Sequence, residues 1–534
     1  VKKWEPKSKE WILNPTIASI DFVLDHGFSM TEKDVAQLEN FMKELEVAER
    51  TKEIRRLLWN ALECDPIPKV AAKCKVDPFP YQWVPVTYAA ETGVANFLLA
   101  DEMGLGKTLE SVLVSLHDDF SDFPVLIVCP ASVCENWQDE LKNLFGLKSK
   151  ILTTGLEQLD PDIRFYIVSY ARLKNLTIEK PGRNPKLVSY LSTEIFKKHT
   201  WILLFDESQA LKNRKTKQYK RAKAISSTTP HKICMTGTPM PNNVEELYPT
   251  LSLLDNQFMS WTAFAREFCG LEWGDNGMVL TGATNRAGLH QMLVENYMIR
   301  RKKAEALPQL PEKQRQMVHI GNYKLGKAKN AMDLFKLNAE FKVKHPDFKE
   351  YCQETFEAAG RILVFAHHSV MLDFAEHLFM KNGWEYFRID GSTPSNCTSP
   401  SRCAKTGCTC KTRQSMVREF QSNQKIKGML LSMTAAGMGL NLTGANIAFF
   451  LEIYWQPGVI WQAEERMHRP GQKSDVLNLF PLMTDFESRY VLRVFDKINN
   501  IKRIVDGGIS DDVDDNSLLA EIANEYGIPI GALM

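Results

Sequence analysis

The sequence predicts an α/β chain with two lobes, each built on a parallel sheet, together with helical insertions and a small helical N-terminal module. Between residues 76 and 250, short apolar runs alternate with helical segments, and several runs end in small, polar or acidic residues. Strands buried on both faces read this way, with functional loops at their C-terminal ends. The same pattern returns after residue 360, so two such lobes are expected. Length agrees: 534 residues, at about 150 per domain, allow three or four domains.

Residues 1–75 are read as the helical accessory module. Val35, Leu38, Phe41, Met42, Leu45, Ile54, Leu57, Leu58 and Ala61 recur at spacings of three and four, and Pro66 and Pro68 break the run. The first lobe, 76–250, draws strands from Phe97-Leu98-Leu99-Ala100, Val125-Leu126-Ile127-Val128, Phe165-Tyr166-Ile167-Val168 and Trp201-Ile202-Leu203-Leu204-Phe205. Residues 251–358 read as a mostly helical protrusion and interlobe connector, marked by Leu307-Pro308-Gln309-Leu310-Pro311. The second lobe, 359–506, draws strands from Ile362-Leu363-Val364-Phe365, Gly428-Met429-Leu430-Leu431-Ser432 and Ile447-Ala448-Phe449-Phe450-Leu451. Residues 507–534 form a tail carrying Asp511, Asp512, Asp514 and Asp515.

Composition narrows the function classes. Apolar residues are 44% and charged residues 25%, which excludes wholesale disorder, collagen and coiled coil. A net charge of +1 excludes a uniformly basic coat, while leaving room for a basic groove. No apolar run reaches about 18 residues, so no membrane helix is expected. The N-terminus, Val1-Lys2-Lys3-Trp4, lacks the apolar core of a signal peptide. Seven of the eleven cysteines are scattered, as free thiols of a reducing nucleus or cytoplasm would be.

Phe97 to Thr108 reads FLLADEMGLGKT, a strand, a glycine-containing turn and a helix start. Gly104 and Gly106 can turn backbone amides toward a phosphate. Lys107 would reach the β- and γ-phosphates of ATP, and Thr108 would offer its hydroxyl to Mg²⁺. Asp101 stands where the strict pattern has glycine. About a hundred residues on, Asp206-Glu207-Ser208-Gln209 follows the strand that ends at Phe205. Asp206 is the expected metal carboxylate and Glu207 the carboxylate that activates water.

DEMGLGKT, DESQALKN, MTGTPMPNN, LSMTAAGMGLNLTGA and QAEERMHRPGQ stand in this order. Together they resemble the Swi/Snf-like ATPases of helicase superfamily two, over about residues 78 to 500. The compact spacing looks most like the annealing-helicase (SMARCAL-type) branch or a bacterial or viral relative. The resemblance implies two RecA-like lobes and ATP-driven movement along duplex or forked DNA. It implies that Gln82 reads adenine. It places Ser132, Ser169, Tyr170, Thr236, Ser392 and Thr434 on DNA, and Gly437 and Gln462 at the nucleotide. Arg466 and Arg469 would bring charge to the γ-phosphate from the second lobe, and a spacing of three would put both on one helical face. Two departures stand out: Gln209 replaces the usual histidine, and Pro470 replaces the commoner isoleucine.

Cys397, Cys403, Cys408 and Cys410 lie within one polar stretch. They are candidate ligands for one structural Zn²⁺, with free thiols or a disulfide formed on oxidation as the alternatives. Two basic clusters could meet phosphates without reading sequence. One spans residues 212–223 and begins at Lys212; the other is Arg300-Arg301-Lys302-Lys303. The leading expectation is a double-stranded DNA translocase, with a protein partner docking through the N-terminal module. The alternatives are a strand-separating DNA or RNA helicase and a binding scaffold with an inactive ATP site.

Overall fold

The computed structural model describes residues 3–5, 10–12, 32–153, 160, 162–180, 186–189, 200–274, 277–394, 411–433, 441–507 and 518–528. In the first lobe, β1 (Asn96–Leu99) runs through the phosphate-loop turn into helix α1 (Lys107–Ser115). β2 (Val125–Cys129) is followed by helix α2 (Cys134–Glu140). β3 (Ser149–Ile151), β4 (Phe165–Ser169), β5 (Ile202–Asp206), β6 (His231–Met235) and β7 (Met298–Ile299) complete the sheet. Its order is β7-β1-β6-β5-β2-β4-β3, and every pairing is parallel.

The second lobe repeats the plan. It comprises β8 (Lys313–Tyr323), β9 (Ile362–Ala366), β10 (Glu385–Ile389), helix α3 (Arg413–Ser422), β11 (Ile426–Ser432), β12 (Ile447–Phe450), helix α4 (Pro457–Glu464), β13 (Val476–Thr484) and helix α5 (Asp485–Asp506). The order is β8-β13-β12-β9-β11-β10, again all parallel. The α/β class with two parallel-sheet lobes is therefore as the sequence predicts.

The apolar runs behave as a period of two requires. Phe97, Leu99, Val125, Ile127, Ile202 and Leu204 point into one core of the first lobe. Leu98, Leu126, Val128, Leu203 and Phe205 point into another, which continues into the second lobe through Leu363, Phe365, Met429 and Leu431. Each such side chain, once buried, gains about 1.5–3 kcal/mol over leaving it in water.

The connector carries helices at Trp261–Phe268, Arg286–Asn296, Ala331–Lys344 and Pro346–Ala358, and strands beside them that the sequence reading missed. It lends β7 to the first sheet and β8 to the second, and adds a hairpin of Leu271–Gly274 with Gly277–Leu280. β7 is only two residues, and β8 is half exposed along an edge, so neither reads as a buried apolar run. The N-terminal module is largely helical among its described residues. A single 27-residue helix, Glu32–Leu58, docks on the first lobe through the C-terminal end of its apolar stripe, where Ile54 and Leu58 pack against the core, and through a buried cation. Arg55 donates to the Asn296 carbonyl and the Tyr88 hydroxyl, and burial pulls its guanidinium down to about 10. Val35 and Met42 face solvent, and Leu57 is 70% exposed.

Candidate functional site

The turn after β1 is held open by two glycines with left-handed backbone, φ 93° at Gly104 and 91° at Gly106. A Cβ on Gly104 would stand 3.1 Å from the Arg469 Cγ of the second lobe, and one on Gly106 would overlap the Gln82 amide nitrogen. Glycine is thus required twice over, by conformation and by space. Gln82 is buried against the loop: its amide donates to the Leu105 carbonyl at 2.8 Å, and its oxygen accepts from the Phe79 N–H at 2.9 Å. One N–H and one lone pair remain for a base.

Lys107 opens α1, and its ammonium donates to the main-chain carbonyls of Asp101 at 2.7 Å and Glu102 at 3.2 Å. Burial lowers its pKa, opposed by the surrounding carboxylates Asp101, Glu207, Glu110 and Asp206. Thr108 follows on the same helix and lies within side-chain hydrogen-bonding reach of Glu140.

Asp206 ends β5 under three restraints. The Trp137 indole N–H donates to its Oδ2 at 2.8 Å, the Tyr170 hydroxyl donates to its carbonyl at 2.8 Å, and β6 pairs alongside. Burial, then the neighbouring Glu207, pushes the Asp206 carboxyl up to about 7. Such a group favours a counter-cation. Glu207 itself has φ 50°, a conformation that costs a non-glycine residue roughly 1–3 kcal/mol and that clusters at functional sites. Gln209 donates to the Glu207 Oε2 at 2.6 Å. The residue that replaces the usual histidine therefore still orients this carboxylate, without titrating.

The second lobe closes the site. Helix α4 ends at Glu464, so Arg466 and Arg469 lie in the turn beyond it rather than on a helical face. Both still converge on the same carboxylates. Arg466 is 1% exposed; burial and then Arg469 pull it down to about 9, opposed by Glu207, Glu465 and Asp206. Arg469 faces Glu207, Glu465 and Glu140 and donates to the Glu465 carbonyl at 3.1 Å. Gln462, expected at the nucleotide, is instead buried and donates to the Thr238 hydroxyl at 3.1 Å, tying the two lobes directly. Lys303 accompanies it: its N–H donates to a Glu102 carboxylate oxygen at 2.7 Å, and its ammonium pairs with Glu465.

Several expected DNA contacts are corrected. Arg300 and Arg301 are 2% and 0% exposed. Arg300 donates to Asp506 and to the Ala100 carbonyl, both at 2.5 Å. Arg301 pairs with Asp101, and with Glu110 at 2.6 Å. They are internal ties, and Asp101 stands in place of glycine as the partner of one of them. Ser169, Tyr170 and Thr236 are buried, the last accepting from the Thr238 N–H at 3.0 Å. None of the three is exposed at the surface. Lys212 is held by Glu246 at 2.9 Å, whereas Lys215, Lys217 and Lys220 of the same tract are exposed. Ser132 is half-buried beside α2, and Ser392 is exposed with its hydroxyl on Asp390 at 2.6 Å. Thr434, Gly437, Cys397, Cys403, Cys408 and Cys410 lie outside the described residues.

Trp137 and Glu140 escaped the sequence reading. Their signal was a spacing of three on a helix directly after a strand end, which puts both on one face. The donor set suits a magnesium-bound nucleoside triphosphate: a glycine cradle, one ammonium and two guanidiniums set against Asp206, Glu207 and Glu140.

Residues 81–329 match the SNF2-related domain family, and residues 347–471 match the helicase conserved C-terminal domain family. The "SWI/SNF-related matrix-associated actin-dependent regulator of chromatin subfamily A-like protein 1 homolog" of Caenorhabditis elegans is 31% identical over 430 residues, 74% of this chain and 57% of that protein. The "DNA annealing helicase and endonuclease ZRANB3" of Mus musculus is 30% identical over 420 residues, 71% of this chain and 36% of that protein. The chain thus spans about half or less of the length of these curated relatives. Among solved structures, the Sulfolobus solfataricus SWI2/SNF2 ATPase core in complex with dsDNA aligns with 86% of this chain and 98% of its own, at 22% identity and a TM-score of 0.39. That likeness is too loose to bear on how DNA would lie.

Proposed function

Because the chain belongs to the SNF2-related family of helicase superfamily two, we propose that it is a DNA-dependent ATPase that moves along double-stranded or forked DNA. The observation that supports this best is the placing of Arg469, from one lobe, against Gly104 of the phosphate loop in the other. ATP would be gripped by Lys107 and the loop amides, with Gln82 at the base. Thr108 and Asp206 would hold Mg²⁺, which supplies charge neutralisation between the phosphates. Glu207, oriented by Gln209, takes the proton of the attacking water. Arg466 and Arg469 stabilise charge developing on the γ-phosphate.

Because those arginines belong to the second lobe, hydrolysis requires closure. The contact of Gln462 with Thr238 and the pairing of Lys303 with Glu465 would make and break with each cycle. Alternate grip by the lobes would advance the protein, about one base pair per ATP, as the family resemblance implies. The exposed Lys215, Lys217, Lys220 and Ser392 are surviving candidates for phosphate contacts. A nuclear or cytoplasmic setting, and a protein partner on the N-terminal helix, belong to the same proposal. No described helix is long and apolar enough to cross a membrane.

ATP turnover is the test, measured without nucleic acid and with single-stranded, duplex and forked DNA and RNA. Stimulation by duplex or forked DNA, falling steeply with salt, is expected. A rate indifferent to every nucleic acid would overturn the proposal. One feature favours strand separation as a second reading: Trp273 on the connector hairpin is 80% exposed and could stack on an unpaired base. Strand displacement that Trp273→Ala abolishes, with duplex-stimulated turnover unchanged, would decide for it.

Trp137→Phe keeps an aromatic ring but gives up the indole's second ring and the N–H that donates to Asp206. Partners of metal ligands are worth 10–100-fold in affinity or activity. A rise of about tenfold in the Mg²⁺ needed for half-maximal turnover is expected, together with a lower melting temperature, because Trp137 is 1% exposed in the core.

A further inference from the structure

Helix α2 touches both sides of the cleft. Toward the nucleotide it presents Trp137 to Asp206 and Glu140 to Thr108. Toward the second lobe it presents Asn136 and Asp139 to helix α3. The Asn136 Nδ2 donates to the Glu140 Oε1 at 2.8 Å, and the Gln414 Nε2 donates to the Asn136 Oδ1 at 3.2 Å. Chemistry fixes this direction. A carboxylate only accepts, so the Asn136 nitrogen must face Glu140, and only its oxygen is left for Gln414. The three side chains form one line of hydrogen bonds from the second lobe to a carboxylate that neighbours the hydroxyl expected on the metal. The companion pair, Arg418 with Asp139, is mostly in solvent and is screened there. The half-buried amides are the fixed point.

We propose that Gln414 and Asn136 are positioning residues that set Glu140 when the second lobe closes, and that Glu140 in turn orients the Thr108 hydroxyl toward Mg²⁺. Closure would then be reported to the nucleotide twice: by the arginines at the γ-phosphate, and by this line at the metal. The inference rests on the nucleotide reading of the site given above. Glu140 is three residues beyond Trp137, so one small rotation of α2 moves the neighbours of both Thr108 and Asp206 together.

The test measures equilibrium binding of a fluorescent, non-hydrolysable ATP analogue to the full chain, with Mg²⁺ and with EDTA. The variants are Gln414→Met, Asn136→Leu, Glu140→Gln and the Gln414→Met/Glu140→Gln double. Each single change is expected to weaken Mg²⁺-dependent binding roughly three- to tenfold, the range of one hydrogen bond. Binding in EDTA should be unaltered for Gln414→Met and Asn136→Leu, which lie outside the nucleotide site. In a line that acts through Glu140, the double variant binds no more weakly than Glu140→Gln alone. Additive losses, or equal losses in EDTA for Gln414→Met and Asn136→Leu, would sink the proposal, because they mark a merely structural contact. Lys107→Ala in the same assay separates the two readings. If it binds like the unaltered protein, the nucleotide site itself is misread; if it loses the analogue while the cycle is additive, only the relay fails.

Discussion

Arg469→Ala is expected to lose about 10³-fold in kcat while holding ATP within a few-fold of the unaltered affinity. The first figure is the low end of what a charge-supplying arginine contributes to phosphoryl transfer. The second follows from the site. Lys107, the loop amides and Gln82 all belong to the first lobe and, on the proposed reading, would grip the nucleotide without the second. Arg469 is the cleaner of the two arginines to remove. It is half-buried and makes one hydrogen bond to the main chain, so the fold does not depend on it. Arg466, at the limit of burial beside Glu207 and Asp206, would take stability with it. Arg469→Lys should not restore turnover, since a point charge cannot reproduce the planar fork. Single-turnover hydrolysis, alongside nucleotide affinity, reads both numbers. Retained turnover with Arg469→Ala would show that closure does not complete the site.

The contrast between the two arginine pairs shows what a sequence can and cannot carry. Lys107, Thr108, Asp206 and Glu207 were legible because their chemistry lies at strand ends, where an apolar run stops and a functional loop must begin. Arg466 and Arg469 were legible as charges in a string, although the helix expected under them ends two residues early. Arg300 and Arg301 look like the same kind of string and are the opposite kind of residue. Their partners, Asp506, Asp101 and Glu110, are 191 to 206 positions away. A run of like charges in one dimension gives no sign of acids folded in from elsewhere. The same holds for Trp137, whose partner Asp206 is 69 residues on, and for β7 and β8, which are strands only because a sheet edge awaits them. Local chemistry is readable; pairing across the cleft is a product of packing.

That distinction has its largest energetic consequence at Arg301. Arg301→Met keeps the volume and removes the cation from between Asp101 and Glu110, all three of which have fully buried side chains. Breaking a buried pair by taking one partner costs about 3–5 kcal/mol, because the remaining charge has neither water nor counter-ion. Against an ordinary domain's total of 5–15 kcal/mol, the first lobe should unfold at clearly lower urea, where β1 and the phosphate loop lose their anchor. The sign of the pH dependence is fixed. Burial, then the charge of Asp101, raises the Glu110 carboxyl well above its usual range, and Arg301 opposes that rise. A folded pKa above the unfolded one means that the native state binds the extra proton, so stability falls as pH rises between the two values. Without Arg301 the gap widens, so the deficit of Arg301→Met should be no smaller at pH 8 than at pH 5. A triple change, Asp101→Asn, Glu110→Gln and Arg301→Met, removes every charge and should recover much of the loss. Were Arg301 instead a DNA contact, Arg301→Met would leave the unfolding midpoint in place at both pH values. It would then lower the salt dependence of DNA binding by about one counter-ion. Urea titrations at the two pH values, beside one salt titration of DNA binding, distinguish an internal tie from a surface charge.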